Sequence, residues 1–302
     1  MNNNTEALYL KSLESRYDND YETRNKLMRL EGELIVNKTL ENINYVVYAH
    51  NLEFTVDKKF QVDFLIVHNN QISILEVKHY YGDFHFFNSY MQSSSNNTYP
   101  LPFMQLSIAK NNLQKLCNEI NINLPIQKYL IFSNPTFTAQ STIPNKSQVL
   151  LRLEFYKFYK LFQSFQVAKD KAILNQILQK QKRFSQQFKS IEKPDFSLIK
   201  KGIKCPNCKN LNTMIIEKRK KTTTCICCEK YFKRNELYYF NIRELAIIKG
   251  EEGFTLTEAM EWCNAVNIYT VRRICNKYFE SKGQRYKKYT LKENEIAKEE
   301  ML

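Results

Sequence analysis

Two carboxylates and an amine stand in a segment that is otherwise strongly apolar, QVDFLIVHNNQISILEVKHYYG at residues 61–82. Asp63 has apolar neighbours, and Glu76 and Lys78 are two positions apart, so they share one face of a predicted strand. Charges in such surroundings are costly unless they are paired or bind a metal. A divalent cation such as Mg²⁺ would remove the repulsion between two carboxylates, and a lysine could orient or deprotonate its water. The pattern therefore suits metal-assisted hydrolysis of a phosphodiester.

On spacing alone, a chance match is an open alternative, with Glu76 and Lys78 forming an exposed ion pair. The predicted elements around them are a helix over 21–43, strands over 45–54, 60–68 and 71–80, a helix over 103–120, a strand over 127–135 and a helical stretch ending near Lys189. A turn is predicted at Asn69–Asn70, and the Ser/Asn run before residue 98 is predicted to be a loop or a mobile flap. This order predicts an α/β domain with a mixed sheet flanked by helices.

With its predicted helices and strands in this order, the chain resembles the NERD (nuclease-related) domain over residues 28–150. That domain belongs to the PD-(D/E)xK nuclease superfamily. The resemblance rests on Gly32-Glu33, Gln61-Val62-Asp63, Glu76-Val77-Lys78 with Gly82, and Gln105. It implies a restriction-endonuclease-like fold and a nuclease that uses Mg²⁺ or Mn²⁺. Phe64 departs from the family, which often has histidine there, and we expect this residue to point away from the site.

The resemblance also implies a role for each matching residue. Asp63, Glu76 and the Val77 carbonyl would hold the cation, and Lys78 would activate or position the water. Glu33 would assist the metal site, although an ordinary solvated helix charge is the alternative. Gln105 would contact the lysine or the scissile phosphate, or else serve as a hydrogen-bonding residue at the start of a helix.

Five of the eight cysteines lie within residues 205–228, as CPNC (205–208) and CICC (225–228) separated by sixteen residues. This spacing predicts a structural tetrahedral zinc site formed by Cys205, Cys208, Cys225 and Cys228. Cys227 is an alternative ligand in place of Cys225 or Cys228, and a redox pair is an alternative to zinc. The segment resembles a zinc ribbon. The N-terminus does not have the pattern of a secretory signal, so clustered cysteines favour metal over disulfides and we expect a cytoplasmic location.

Positive charge is concentrated toward the C-terminus. The chain has a net charge of +14, and residues 201–290 hold 19 Lys/Arg and 9 Asp/Glu, a net of +10. This excess predicts a nucleic-acid partner, DNA first and RNA as the alternative. Residues 254–291 resemble a winged helix-turn-helix. A capping box at Thr255–Glu258 begins the first helix, the second helix has an apolar face of Ile268, Val271, Ile274 and Tyr278, and a basic wing follows. The alternative is a small helical packing module whose charges are solvated. The predicted nucleic-acid contacts are Lys218, Arg219, Lys220, Lys221, Arg272, Arg273, Lys277, Arg285, Lys287 and Lys288.

The predicted organisation is a nuclease domain over 1–190, a linker over 191–202, a zinc ribbon over 203–234 and a winged-helix-like segment over 235–302. No apolar run reaches the roughly 18 residues that a membrane span needs. The predicted function is divalent-metal-dependent hydrolysis of DNA. The alternatives are a DNA-binding regulator with a silent nuclease fold, and a scaffold that uses the zinc ribbon for protein contacts.

Overall fold

The computed structural model describes residues 3–18, 21–182, 184, 193–217, 220–283 and 287–292. The chain forms two compact units, Met28–Lys189 and the combination of Met1–Leu27 with Ser190–Leu302. The helices are α1 (Asn3–Leu13), α2 (Tyr21–Glu41), α3 (Pro102–Glu119), α4 (Phe158–Phe162), α5 (Val167–Leu178), α6 (Arg234–Lys249), α7 (Leu256–Trp262) and α8 (Ile268–Tyr278). The strands are β1 (Tyr48–Thr55), β2 (Lys59–His68), β3 (Gln71–Lys78), β4 (Gly82–Phe86), β5 (Tyr90–Ser93), β6 (Thr98–Pro100), β7 (Ile126–Phe132), β8 (Phe137–Ala139), β9 (Val149–Leu151), β10 (Met214–Ile215), β11 (Thr222–Cys225), β12 (Tyr231–Lys233), β13 (Phe254–Thr255), β14 (Phe279–Lys282) and β15 (Lys288–Leu291).

A five-stranded mixed sheet forms the centre of the 28–189 unit, in the order β1-β2-β3-β7-β9. The β1-β2-β3 part is antiparallel, and β3, β7 and β9 run parallel, so the predicted mixed α/β sheet flanked by helices is confirmed. The predicted turn at Asn69–Asn70 is also confirmed. Both residues have positive φ (48° and 62°), the conformation that a two-residue type I′ hairpin turn requires.

The two faces of this sheet bury separate clusters. Leu65, Ile72 and Ile74 pack with α3 and α5 on one face. Phe64, Leu75 and Val77 pack with α2 and α4 on the other. Phe64 therefore lies on the α2 side of the sheet, whereas alternation along β3 places Glu76 and Lys78 on the side of Ile72 and Ile74.

A second sheet, β6-β5-β4-β8, surrounds the Ser/Asn run that was predicted to be a loop or a mobile flap. The Ser/Asn run is the tight turn between β5 and β6, closed by a hydrogen bond from the Ser93 amide to the Asn97 carbonyl at 2.9 Å. The loop prediction is correct for the run, and no strands were predicted around it. Of these strands, β4 also pairs with the distant β8, whereas β5 and β6 pair with their neighbours in the chain.

Residues 1–27 differ from the predicted grouping, because the structure places them with the C-terminal residues. Arg16 is fully buried and its guanidinium contacts Glu244 Oε2 at 2.9 Å, Asn241 Oδ1 at 2.7 Å and the Gly202 carbonyl at 3.0 Å. It also stacks on Trp262, with 4.2 Å between Cζ and the ring centroid. These partners lie more than 180 residues from Arg16, so no local pattern in the sequence indicates them.

The described residues from 193 onward form two small sheets and three α-helices. Strands β10, β11 and β12 form an antiparallel sheet next to the cysteines, and β13, β15 and β14 form another. The predicted capping box is confirmed, because the Thr255 amide donates to Glu258 Oε2 at 2.7 Å and the Glu258 amide donates to Thr255 Oγ1 at 3.2 Å. The predicted apolar face of α8 is correct for Val271 and Ile274, which are buried, and wrong for Ile268, which is 38% exposed. Cys275 is buried in its place.

Candidate functional site

Asp63 and Glu76 lie where the backbone pairing of β2 with β3 stops. The ladder runs as far as Phe64↔Leu75, and beyond it the Val77 amide donates a hydrogen bond to Asp63 Oδ2 at 2.7 Å. Lys78 Nζ donates to Glu76 Oε1 at 2.6 Å, as their shared face requires. The predicted register, which brings Asp63 near Glu76, is therefore correct. The Val77 carbonyl as a metal ligand stays a prediction, because the bond to Asp63 uses the amide.

Helix α2 brings Glu33 into this site because Gly32 lets the helix approach β3 closely. A Cβ at position 32 would lie 2.8 Å from His79 Cβ and 2.9 Å from Ser133 Oγ, closer than side chains tolerate. Glu33 is only 5% exposed, so the alternative of a solvated helix charge is wrong. Its Oε1 lies 3.3 Å from Arg29 Nε, and within the described residues Oε2 has no hydrogen-bond partner.

Glu33 and Glu76 are buried, Asp63 is partly buried, and this raises the affinity of all three carboxylates for protons. Burial, with the charge of Asp63 next in importance, raises the pKa of Glu33 to about 8. The same two causes raise the pKa of Glu76 to about 7, against the opposing effect of Lys78. Burial also raises the pKa of Asp63, and the hydrogen bond from Val77 offsets part of the shift. Carboxylates in this arrangement are stabilised by a proton or a cation that binds among them.

Lys78 connects the carboxylates to Gln105. Its Nζ lies 3.4 Å from Gln105 Oε1, in the first turn of α3, so the structure brings together Lys78 and Gln105 as predicted. Burial disfavours the charged ammonium, but the charge and hydrogen bond of Glu76 outweigh it and raise the pKa of Lys78. The lysine therefore stays protonated at neutral pH, and it suits positioning a water and a phosphate better than removing a proton.

A divalent cation fits this donor set. Oxygen ligands from Asp63, Glu76 and Glu33 match the preference of Mg²⁺ and Mn²⁺, and the unpartnered Glu33 Oε2 offers an available lone pair. The carboxylate oxygens of Asp63, Glu76 and Glu33 do not all lie within 4.8 Å of one another, so they do not form a closed set of metal ligands. Across the described ranges, only the cysteines bring three or more ligand atoms within 4.8 Å of one another.

A family model described as the nuclease-related domain, NERD, matches residues 29–133. This stretch is similar to nuclease-related domains. No curated protein and no solved structure matches the chain. The NERD-like stretch includes all five residues predicted to be catalytic (Glu33, Asp63, Glu76, Lys78 and Gln105), and it ends before the cysteine cluster at 205–228 and the basic C-terminal segment.

Four thiols outside the NERD-like stretch form a group that could hold a metal ion: Cys205, Cys208, Cys225 and Cys228. The Sγ atoms of Cys205 and Cys228 are 3.7 Å apart, and those of Cys208 and Cys225 are 3.6 Å apart. A tetrahedral zinc ion with Zn–S bonds of about 2.3 Å separates two sulfurs by about 3.8 Å, so the spacing fits. Cys227 is exposed and lies outside this group, and all eight cysteines are free thiols.

The two Cys-x2-Cys loops have the same backbone conformation. The Lys209 amide donates to the Cys205 carbonyl at 3.0 Å, and the Glu229 amide donates to the Cys225 carbonyl at 2.9 Å. Lys209 and Glu229 both have positive φ, 62° and 56°, although neither is glycine. Burial raises the pKa of Cys225, but hydrogen bonds from Thr213 and two backbone amides outweigh it and lower that pKa to about 6. The Cys225 thiol is therefore ready to bind a cation as a thiolate, whereas burial raises the pKa of Cys205 to about 12.

The predicted nucleic-acid contacts fall into three groups. Lys218, Arg219 and Arg285 lie outside the described residues. Lys220 pairs with Glu217 at 2.8 Å, and Lys221 is exposed beside it. The remaining residues belong to α8 (Arg272, Arg273 and Lys277), to β15 (Lys288), or lie immediately before β15 (Lys287). Arg273 donates to Asn235 Oδ1 at 2.9 Å and Lys287 to Asn276 Oδ1 at 3.1 Å, whereas Arg272 and Lys277 are exposed to solvent.

Sequence reasoning missed Arg29, which lies one helical turn before Glu33 and pairs with it. The i,i+4 spacing of Arg29 and Glu33 was the available signal. It also missed Asn51, whose side chain opposes the rise in the pKa of Glu33 and whose backbone has positive φ (55°) opposite Asp63. Among the described residues, no helix combines the length and the apolar character that a membrane span requires.

Proposed function

We propose that this chain is a divalent-metal-dependent nuclease that hydrolyses DNA phosphodiester bonds. One observation carries the proposal: Asp63, Glu76 and Lys78 converge at the end of β3, within the stretch that is similar to nuclease-related domains. Asp63 and Glu76 would hold the cation, with Glu33 beside them and the Val77 carbonyl as a third ligand. When bound, the cation would supply a polarised water and neutralise charge on the phosphate.

Lys78 would position the attacking water and donate to a phosphate oxygen, since its ammonium stays protonated. Gln105 would hold that ammonium through its Oε1, which leaves the amide NH₂ free to donate to the phosphate. Charge that develops on the phosphorane would thus face preorganised donors, which is where stabilisation accelerates hydrolysis most.

The basic C-terminal half would supply binding. The order α6-β13-α7-α8-β14-β15, with β13 paired to β15, supports a winged-helix arrangement. The three-stranded β10-β11-β12 sheet beside four thiols supports a zinc ribbon. Arg272 and Lys277 would contact phosphates, so their change to glutamine is expected to weaken DNA binding and to lower its salt slope by about 1 per contact. Lys201, exposed and paired with Glu261, is the matched control for loss of a surface cation.

The cleavage test uses supercoiled plasmid, linear duplex, single-stranded DNA and RNA with Mg²⁺ or Mn²⁺. Wild type is expected to cut DNA, and Asp63→Asn and Lys78→Ala to lose about 10²-fold or more in rate. Asp57→Asn and Lys115→Ala, which break an exposed ion pair in the same unit, are expected to cut normally. The proposal is wrong if wild type cuts nothing, or if the site variants cut as fast as the controls.

A DNA-binding regulator with a silent nuclease fold is the second candidate. The wide spread of the three carboxylates favours it, because no closed ligand set is preformed. Two results together would decide for this candidate. Wild type would bind DNA and the Arg272 and Lys277 variants would not, and wild type would cut nothing under any condition above.

A further inference from the structure

Arg29 is a second cation among the carboxylates, and nothing above gives it a role. It lies on α2, one turn before Glu33, with Nε 3.3 Å from Glu33 Oε1. Its charge acts on Asp63 and Glu76 as well as on Glu33, so its guanidinium lies within electrostatic reach of all three acids. The charge of Lys78 acts on Asp63 and Glu76, and Lys78 already donates to Glu76 and Gln105.

The pairing of Arg29 with Glu33 is incomplete. In the described part of the chain, Arg29 Nε and Glu33 Oε2 are both buried side-chain atoms without a hydrogen-bond partner. An unpaired buried polar group destabilises the folded chain, so such a pair is expected where a ligand completes it. About a third of the Arg29 side chain is exposed (32%), whereas its Nε is buried beside Glu33.

We propose that Arg29 is a catalytic residue that binds a non-bridging oxygen of the scissile phosphate; this inference rests on the proposed function. A guanidinium carries five N–H donors in a planar fork, which matches two phosphate oxygens. Its permanent charge would face the extra negative charge of the transition state. Lys78 and Arg29 would then hold the phosphate from β3 and from α2 respectively.

A purely organising role is the competing explanation, in which Arg29 only keeps three carboxylates close together. The two roles differ in their effect on metal binding. If Arg29 organises the acids, its loss disperses them and weakens binding of a divalent cation. If it serves the phosphate, its loss removes a repelling charge, and Mn²⁺ affinity stays equal or rises, on the order of tenfold at most.

The experiment compares Arg29→Gln and Arg29→Lys with Arg24→Gln, an exposed arginine on the same helix. Cleavage of linear duplex is measured as kcat and KM, and Mn²⁺ affinity is measured by calorimetry on the protein without DNA. We expect Arg29→Gln to lose about 10²–10³-fold in kcat, Arg29→Lys to recover part of it, and Arg24→Gln to match wild type.

The outcomes separate this inference from the proposed function. Wild-type cleavage with an unchanged kcat in Arg29→Gln would overturn the inference alone. Loss of Mn²⁺ binding in step with loss of cleavage would also overturn it, in favour of the organising role. Absence of cleavage by wild type would overturn the proposed function, and the inference with it. Reduced kcat with retained Mn²⁺ affinity is the result that supports Arg29 at the phosphate.

Discussion

The Val77 amide donates to the Asp63 carboxylate across 2.7 Å, just beyond the last backbone pair of β2 with β3. A carboxylate thus takes the place of a carbonyl as the acceptor for a strand amide. The two strands separate here, and the acid is held by the backbone rather than by another charged side chain. Asp63 is therefore fixed in place whether or not a cation is bound.

The buried acids should make the metal-free protein less stable as pH rises. The pKa values of about 8 for Glu33 and about 7 for Glu76 lie above the ordinary value of 4.5, so the folded state binds more protons than the unfolded state between about pH 4.5 and 8. The free energy of unfolding should fall across that window. Glu33→Gln should flatten the decline and raise stability at pH 8 by about 1–3 kcal/mol.

Urea unfolding of the chelator-treated protein from pH 5 to pH 8.5 measures this effect. Glu41→Gln, an exposed change on the same helix, should follow the wild-type curve. A Glu33→Gln variant that is less stable than wild type at pH 8 would contradict the prediction.

Gly32→Ala should destabilise the 28–189 unit. Alanine normally stabilises a helix interior by about 0.5–1 kcal/mol relative to glycine. Here its Cβ would meet His79 and Ser133 at under 3 Å, so we expect a net loss of about 1–3 kcal/mol and displacement of Glu33. Thermal unfolding measures the loss, with Arg24→Ala as the control on α2. An unchanged or higher midpoint for Gly32→Ala would show that α2 has room to move.

The cysteines should differ sharply in their importance. Cys208→Ser removes a thiol from the group of four, so the purified protein should lose its bound metal and the structure around β10–β12. Cys227→Ser removes an exposed thiol outside the group and should leave one zinc ion per chain. Elemental analysis and far-UV circular dichroism compare the two variants. Equal metal loss in both would mean that Cys227 is a ligand.

Arg16→Met should destabilise the unit formed by residues 1–27 and 190–302 by about 3–5 kcal/mol, because it removes a buried partner of Glu244. Trp262 is the single tryptophan of the chain and stacks on Arg16, so its fluorescence reports the unfolding of this unit. Lys201→Met, at an exposed ion pair, is the control. Coincident urea curves for the Arg16 and Lys201 variants would contradict the prediction.

Local patterns predicted the central sheet well, since Asn69–Asn70 and the strand alternation around Asp63 and Glu76 depend on nearby residues. The cysteine spacing likewise identified four thiols that meet in the structure. The role of Glu33 depended on a family resemblance, since its burial arises from the close approach of α2 at Gly32. The β4–β8 pairing and the burial of Arg16 could not be predicted, because both depend on partners distant in the chain.

The burial of Arg16 also has a consequence for biosynthesis. Glu244 is 228 residues further along the chain, so at about 5–20 residues per second the ribosome needs roughly 10 to 50 s to make it after Arg16. The 28–189 unit can fold during that interval, while the residues of α1 that are buried in the final structure, such as Leu10 and Leu13, lack α6, against which α1 packs. A nascent chain stalled before Glu244 should therefore hold a folded NERD-like stretch and an exposed first helix, which is a target for chaperones and proteases.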